Sequence, residues 1–585
     1  AEFNLGLHKY QGNTFSPNGH KYIREFDASL VPTTTYRVGG VVLKKEVIFQ
    51  HYEDRILIRY TLVDAHSATT LRFRPFLAFR SVRQFTHENS TASREYHEVD
   101  GGIKTCMYAG YPDLYMQFSK KNEFVFQPDW YRGIEYPKEQ ERGYASNEDL
   151  YVPGYFEMPI KKGESIVFSG STSQVKASSL KKLFDEEVAD RAPRDNFYHS
   201  LVAAAHQFHF RDRRSGDSKE LDDNDERYLL AGYPWFKARA RDTFIALPGL
   251  TLAIGERDYF ELVMRTAERG LREFMDDKPL SVKIYEIEQP DVPLWAIWAI
   301  QQYVKDAGQD EGYKKYGKLV SDIVDYIIKG GHPNLRLDEN GLLYSNGRDK
   351  AVTWMNSTAN GRPVVPRSGY IVEFNALWYN ALKFCAAMKA NLGKTKDAEA
   401  LEKRAELAKA SFVDTFVNEY GYLLDYVDGN MMDWSVRPNM IFAVALDYSP
   451  LSQQQMKSVV DICTRELLTP KGLRSLSPKS GGYNPIYVGP QTQRDYAYHQ
   501  GTAWPWLGGF YMEASLKLYK RSRLSFVERQ LVGYEDEMDY HAIGTISELF
   551  DGNPPFHGRG AMSFAMNVAE ILRTLQLMDK YSYQK

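Results

Sequence analysis

Over roughly the first 175 residues, hydrophobic and polar positions alternate with a period of two. In "RILIRYTLV", Ile56, Ile58, Tyr60 and Leu62 fall on one side and Arg55, Arg59 and Thr61 on the other, the pattern of a strand with one covered face. "YRVGGVVLKKEVIFQ", "TLRFRPFLAFR", "LYMQFS" and "ESIVFSGS" repeat it between Gly, Pro, Asn and Asp breaks, so an antiparallel β-sandwich is predicted. Past about residue 178 the period changes. Leu401, Ala405, Ala408 and Phe412 step by four, three and four, as do Leu377, Ala381, Phe384 and Met388, while Phe564, Val568, Leu572 and Leu575 step by four, four and three. Such spacing predicts one-sided helices, about ten to twelve of them between residues 195 and 580. The expected organisation is a sandwich over residues 1–178, a helical linker over 179–212 and a helical domain over 213–585.

The connections between the helices are uneven. "NLGKTKD" is short, whereas residues 232–243, 281–295, 344–375, 485–506 and 540–560 are long and rich in Trp, Arg, Asp, His and Gly. Antiparallel helix pairs arranged in a ring put short turns at one end and long loops at the other, and long ordered loops on a rigid scaffold carry binding residues. These five segments are therefore expected to converge on one mouth. No repeat of 20 to 50 residues is legible as sequence, so the pairing rests on periodicity.

Composition narrows the partners. The 585 residues hold 73 Lys plus Arg against 76 Asp plus Glu, a balance that supplies no field for nucleic acid or an anionic membrane. Aromatic residues make up 14% of the chain, including 40 Tyr and 9 Trp, and flat rings with one polar edge suit sugars as well as protein interiors. Cys106, Cys385 and Cys463 lie far apart without CxxC spacing, which favours a reducing, cytoplasmic setting over a disulfide framework or a zinc knot. Neither an apolar run of eighteen residues nor a signal-peptide pattern appears, so membrane and export readings have no support. The first residues, "AEFNLG", lack Met, and residues preceding them are expected.

The loops hold the candidate chemistry. In "ISELFDGNPPFHGRG", Glu548 follows "GTIS" and precedes Leu549 and Phe550, with the last helix expected to begin near Gly560. A carboxylate held among apolar neighbours has its pKa raised toward the range of a general base; a turn whose acids, including Asp551, face water is the bland alternative. "RDYAYHQGTAWPW" packs Arg494, Asp495, His499, Gln500, Trp504 and Trp506 into thirteen residues, donors and rings that either meet sugar hydroxyls or close on one another. In "QPDVPLW", Asp291 stands at an expected helix N-cap with Pro293 just inside, so capping explains it as well as substrate contact does. "GYPWFKARARDTFIAL" gathers Tyr233, Trp235, Phe236, Lys237, Arg239, Arg241 and Asp242 ahead of another helix. His499 and His557 have no HxxxH or HExxH companion, and no P-loop, GxGxxG or GxSxG pattern is in place, so no metal or other cofactor is called for. Carboxylates with aromatic walls fit glycoside hydrolysis.

With those residues in view, the chain resembles the glycogen debranching enzymes of the archaeal and bacterial type, whose C-terminal part resembles the amylo-α-1,6-glucosidase region of eukaryotic debranching enzymes. The matching stretches are "GYPWF..RDTFIALPGL", "DVPLW", "TWMN", "VEFNALWYNAL", "RPNMIFAVAL", "RDYAYHQGTAWPW" and "SELFDG", running from about residue 195 to the end. The resemblance implies an (α/α)6 barrel after the sandwich and inverting hydrolysis of α-1,6 branch points of glycogen or limit dextrin. It implies Glu548 as the general base, and Arg241 and Asp242 as the holders of terminal-glucose hydroxyls. Its motifs add Tyr233, Trp235, Asp291, Trp354, Asn356, Asn375, Arg437, Asn439, Arg494, Asp495, His499, Gln500 and Trp504 as substrate-binding candidates. Two departures stand out. Arg239 and Ala240 replace the family's Trp and Gly before the Arg-Asp pair, and Asn356 occupies the place of an Asp that is the expected general acid. An amide cannot deliver that proton, so Glu373, seventeen residues on, becomes the candidate acid. A glucan-binding protein with weak or no hydrolysis, and an exo-α-1,4-glucosidase or phosphorylase on the same scaffold, remain as alternatives.

Overall fold

The structure is a computed structural model that describes residues 1–212 and 226–583. The chain divides into two units, Ala1–Asp195 and Asn196–Lys585.

In the first unit, antiparallel strands form a sheet of eight and a sheet of five. Leu43, Leu62, Met116 and Ile166 from the larger sheet and Trp130, Phe156 and Met158 from the smaller share one core, with the Phe118 and Phe156 rings 5.0 Å apart. The opposite face of the larger sheet is covered as well: helix α1, Leu180–Ala189, lays Leu180 and Phe184 on Leu57 and Val167. The Arg55 and Arg59 positions are therefore not an open polar face. Arg55 is buried and donates to Ser169 Oγ at 2.7 Å, and the Arg59 guanidinium lies 4.2 Å over the Phe184 ring, a cation–π contact.

The expected linker 179–212 is split, because α1 packs on the first unit while α2, Phe197–Phe208, opens the second. The expected start of the helical domain at 213 lies outside the described residues. The second unit holds α2 followed by α3 (Ala240–Leu250), α4 (Arg257–Met275), α5 (Val292–Ala307), α6 (Gln309–Ile328), α7 (Val372–Asn391) and α8 (Thr395–Phe416). Next come α9 (Phe442–Ala445, running on from the 3-10 turn Pro438–Ile441), α10 (Gln453–Glu466), α11 (Pro505–Tyr519), α12 (Leu524–Glu535) and α13 (Ala565–Tyr583). A shorter helix, Gln491–Ala497, precedes α11.

Two kinds of helix alternate. In α4, the buried residues Phe260, Val263, Met264, Ala267 and Leu271 form one stripe, as period-3.6 burial requires. By contrast α3 is buried at every position, and α5, α7, α9, α11 and the first half of α13 nearly so. The stripes expected at Leu377–Met388 and Phe564–Leu572 are thus parts of helices covered on all sides: Tyr379, Leu382 and Ala386 are buried on the other face of α7. Along this set α3 packs on α5, α5 on α7, α7 on α9, α9 on α11, α11 on α13, and α13 on α3 again. Gly249 permits the α3–α13 approach, since a Cβ there would lie 2.6 Å from Ala569 Cα.

From α5 to α13 these helices are entered from long loops, and from α3 to α11 they are left by short ones. Residues 276–291, 329–371, 417–441, 467–504 and 536–564 lead in, whereas 251–256, 308, 392–394, 446–452 and 520–523 lead out. The loops are stitched to their neighbours. Tyr233 pairs with Ser563, Ile371 with Tyr426, Ala503 with Phe550, and Arg239 bridges to Tyr285. The segment 417–441 is a long loop that the pattern of the chain did not single out.

Candidate active site

Glu548 immediately precedes the strand Leu549–Phe550, which lies between Ala503–Trp504 and Gly558–Arg559 in a five-stranded sheet built from two loops. The "TAW" and "SELF" motifs are thus neighbouring strands. Glu548 is 1% exposed. Its Oε2 accepts the Ala561 N–H at 2.7 Å, and its own N–H donates to the Ala561 carbonyl at 2.9 Å. Asn567, on the first turn of α13, donates to the Glu548 carbonyl at 2.7 Å. Gly560, at φ +70°, lies against the carboxylate: a Cβ there would be 3.0 Å from Glu548 Cδ, and closer still to Oε2. The last helix begins at Ala565 rather than near Gly560, because residues 558–559 and 563–564 are drawn into strands. Asp551 does not face water either. It is buried, paired with Arg559 at 2.7 Å, and accepts the Tyr487 N–H at 2.9 Å.

At the head of α3, Arg241 does not pair with Asp242. Its guanidinium binds Asp291 through two bonds of 2.7 and 2.9 Å, and both residues are buried. Asp291 is the N-cap residue of α5, but its side chain makes no capping bond; a charge-assisted bidentate pair has claimed its oxygens. Asp242 is also buried, and burial pushes its carboxyl up to about 6 against the pull of Arg239 and Arg241. Tyr233 donates its hydroxyl to the Gln207 carbonyl, and Trp235 is half-buried.

The third group centres on Arg367, which no motif flagged. It is 1% exposed and grips both oxygens of Glu373 while bonding Asp425 at 2.7 and 3.1 Å. Burial and the adjacent Asp425 push the Glu373 carboxyl up, and Arg367 pulls it back. Two guanidinium donors on two oxygens match the ionised form, so the candidate acid presents no free carboxyl edge to a leaving oxygen. Asp425 also accepts Asn439 Nδ2 at 2.8 Å, and Asn439 Oδ1 accepts the Trp354 indole N–H at 2.7 Å. Asn375 is spent on backbone, bonding Leu343 N–H and C=O at 2.7 and 3.0 Å. Neither Asn is left to hold substrate. Asn356 is half-buried beside Ser357, whose hydroxyl donates to the Asp495 carbonyl at 2.6 Å.

In the segment 494–504 most polar groups close on protein. Arg494 donates to the Gly489 carbonyl at 3.0 Å and to Gln491 at 3.1 Å, and Asp495 accepts Gln491 at 2.6 Å. Arg437 donates to the His499 carbonyl and to Gln500 Oε1, both at 2.8 Å. The His499 ring stacks on Trp504 at 5.5 Å, and its pKa is driven well below the usual value by burial and by Arg437, Arg241 and Arg367. It is therefore a neutral imidazole. The Trp504 N–H is taken by Thr502 Oγ1 at 3.1 Å.

One contact path joins the two catalytic candidates. Glu373 leads through Arg367, Asp425 and Asn439 to Trp354. The Trp354 ring lies 5.2 Å from that of Trp506, and the backbone N–H of Trp506 donates to Asn567 Oδ1, while Asn567 Nδ2 donates to the Glu548 carbonyl. Arg367, Asp425, Tyr487 and Asn567 are the partners that sequence reasoning missed. "PRSGY" reads as a surface turn, and only a buried position reveals its Arg as a hub. Two cavities lie apart from Glu548, Asp242 and Glu373: one of about 410 Å³ in the first unit, beside Tyr10, Arg132 and Asn147, and one of about 270 Å³ beside Leu337, Trp378 and Leu407. Among the described residues, no group of three metal-ligating side chains is poised for an ion, and no helix is long and apolar enough to cross a membrane.

The amylo-alpha-1,6-glucosidase family model matches residues 203–573, and the model of the glycogen debranching enzyme N-terminal region matches residues 1–167. The chain belongs to the amylo-alpha-1,6-glucosidase family. A glycogen debranching enzyme of Saccharomyces cerevisiae is 28% identical over 232 residues, which is 32% of this chain and 15% of that protein. The matched stretch thus spans under a sixth of the relative's length. A bacterial glucoamylase solved in complex with acarbose superposes with a TM-score of 0.57 at 12% identity, covering 99% of this chain and 88% of the other. That likeness is one of fold. The matched region takes in α3, α5, α7, α9 and α11 whole, the first half of α13, and the loops that lead into them.

Proposed function

We propose that this chain hydrolyses α-1,6 branch linkages of glycogen or limit dextrin with inversion, in an (α/α)6 barrel whose inner ring is α3, α5, α7, α9, α11 and α13. Family membership and the glucoamylase-like fold support glucan hydrolysis. The observation that carries the mechanism is Glu548, a buried carboxylate seated on a two-strand platform and fixed by the Ala561 N–H. Glu548 takes a proton from a water molecule as that water attacks the anomeric carbon. The glycosidic C–O bond breaks on the opposite face, and the departing oxygen receives a proton from a second carboxyl. We assign that proton to Asp242 rather than Glu373. Burial raises the Asp242 carboxyl to about 6, so it keeps its proton further up the pH scale than an ordinary Asp, whereas Arg367 occupies both oxygens of Glu373. Glu373 then has a structural role, holding Arg367, Asp425 and Asn439 behind Trp354. Three unpaired thiols fit a reducing, cytoplasmic setting.

The competing reading is a glucan-binding protein that cleaves poorly, favoured by Asn356 at the family's acid position and by the Glu373 clamp. Glucose release from phosphorylase limit dextrin separates the two. The hydrolase reading requires phosphate-independent release by the wild type and a loss of about 10² to 10⁴ in Glu548→Gln. Retention on glycogen without release supports the binding protein. Release only with added phosphate supports a phosphorylase.

A further inference from the structure

Residues 418–434 form an exposed aromatic corner that the proposed chemistry does not use. Tyr420 is 72% exposed and Trp434 42%. The Tyr420 and Tyr422 rings are nearly parallel, 15° apart with centroids 6.4 Å distant, and the Trp434 ring stands at 73° to Tyr420 at 6.1 Å. Water-facing rings of this size in one cluster mark an interaction site more often than an accident of packing.

The corner is held rigid. Asn418 Oδ1 accepts the backbone N–H of Tyr420 at 3.0 Å and of Tyr422 at 3.3 Å, an Asx turn closed by Gly421 at φ +80°. The Tyr422 hydroxyl donates to the Trp434 carbonyl at 2.9 Å, tying the two sides together. A partner would therefore meet a backbone already in place, which lowers the cost of ordering the rings.

The surroundings select the partner. Asp433 and Glu466 lie within electrostatic reach of the Tyr422 hydroxyl, and Glu466 is paired with Lys479 at 3.1 Å, so the border holds balanced charge that offers both donors and acceptors to hydroxyl groups. A neutral polyol with apolar C–H faces fits both features. The corner is also continuous with the candidate site. Asp425 lies within it, between Tyr422 and Trp434, and the strand Tyr426–Asp428 pairs with Gly369–Ile371, which leads into Glu373.

We propose that Tyr420, Tyr422 and Trp434 form a surface subsite that stacks on an α-glucan chain outside the catalytic pocket. The proposal rests on the glucan reading above. Its test measures retention of the full chain on glycogen by affinity electrophoresis, for wild type, Tyr420→Ala, Trp434→Ala and the double variant. Melting temperature, molar mass by light scattering, and turnover of a short branched maltooligosaccharide are followed alongside. The expected result is glycogen binding weakened on the order of 10-fold in the double variant, with melting, mass and short-substrate turnover unchanged. Wild-type retention in the double variant overturns the subsite and leaves the hydrolase reading standing. A mass that falls on mutation overturns it in favour of a second copy of this chain, and a wild type that glycogen does not retain overturns it outright. Weakened binding by the double variant, in a protein that cleaves nothing, upholds the subsite and removes the hydrolase reading.

Discussion

Replacing Gly560 by Ala probes the seat of Glu548 without touching the carboxylate itself. The new Cβ would lie 2.6 Å from Leu549 Cδ2, 3.0 Å from Glu548 Cδ, and nearer still to Glu548 Oε2. Relief requires the carboxylate to move by about 1 Å, since non-bonded heavy atoms sit about 3.5 Å apart at their optimum. Loss of geometry on that scale costs about 10²-fold in rate. Gly560 also has φ +70°, where a side chain costs roughly 1–2 kcal/mol. Gly393, at φ +74° with nothing within 4 Å of a built Cβ, isolates that backbone cost. The assay is kcat for glucose release together with urea denaturation of both variants. Gly560→Ala is expected to lose about 10²-fold in kcat, and Gly393→Ala to lose only the backbone share of the stability and no activity. Equal kcat in the two variants would refute the placement of Glu548 at the reacting centre.

Other outcomes follow from the same geometry. Asp291→Ala strands the buried Arg241 cation and is expected to destabilise the protein by about 3–5 kcal/mol, read as a lower urea midpoint. Because the folded-state pKa of Asp242 is raised to about 6, the folded protein binds more protons than the unfolded chain between about pH 4 and pH 6. This group's contribution to stability is thus greatest below pH 4 and is lost as pH rises through 6. Subtracting Asp242→Asn from wild type should reveal a slope of up to ~1.4 kcal/mol per pH unit in that window, and a flat difference curve would contradict the burial argument. If Asp242 supplies the leaving-group proton, kcat declines above about pH 6, and Asp242→Asn lowers kcat far more than it raises KM; an unchanged alkaline limb in Asp242→Asn argues against that role. With Asp242 as the proton donor, Asn356→Asp is expected to leave kcat within a few-fold of wild type, and a rise of about 10²-fold or more would move the donor to position 356.

The two periodicities were enough to separate a strand-rich part from a helix-rich one, because side-chain direction alone sets them. Whether a helix is covered on one side or all round was harder. The step Leu377, Ala381, Phe384 and Met388 looks the same in either case, and only the uncharged run from Phe374 to Leu382 hinted that α7 lies inside. At the site, the crowded loops were legible as clusters but not as pairs. Arg241 looks to Asp242 in sequence, yet finds Asp291 fifty residues on, since a helix start directs adjacent side chains apart. The same holds for Glu373, whose partner Arg367 sits in a stretch without regular secondary structure. Trp354, Asn375, Asn439 and Arg437, expected to bind substrate, spend most of their polar groups on neighbouring loops, because stitching long loops together leaves buried donors that need acceptors.

The stereochemistry of the first sugar released tests the central claim most directly. Proton NMR of limit dextrin digested by the wild-type chain should show β-glucose before mutarotation, as expected when water activated by Glu548 attacks opposite the leaving oxygen. Initial α-glucose, or release that persists in Glu548→Gln, would contradict it.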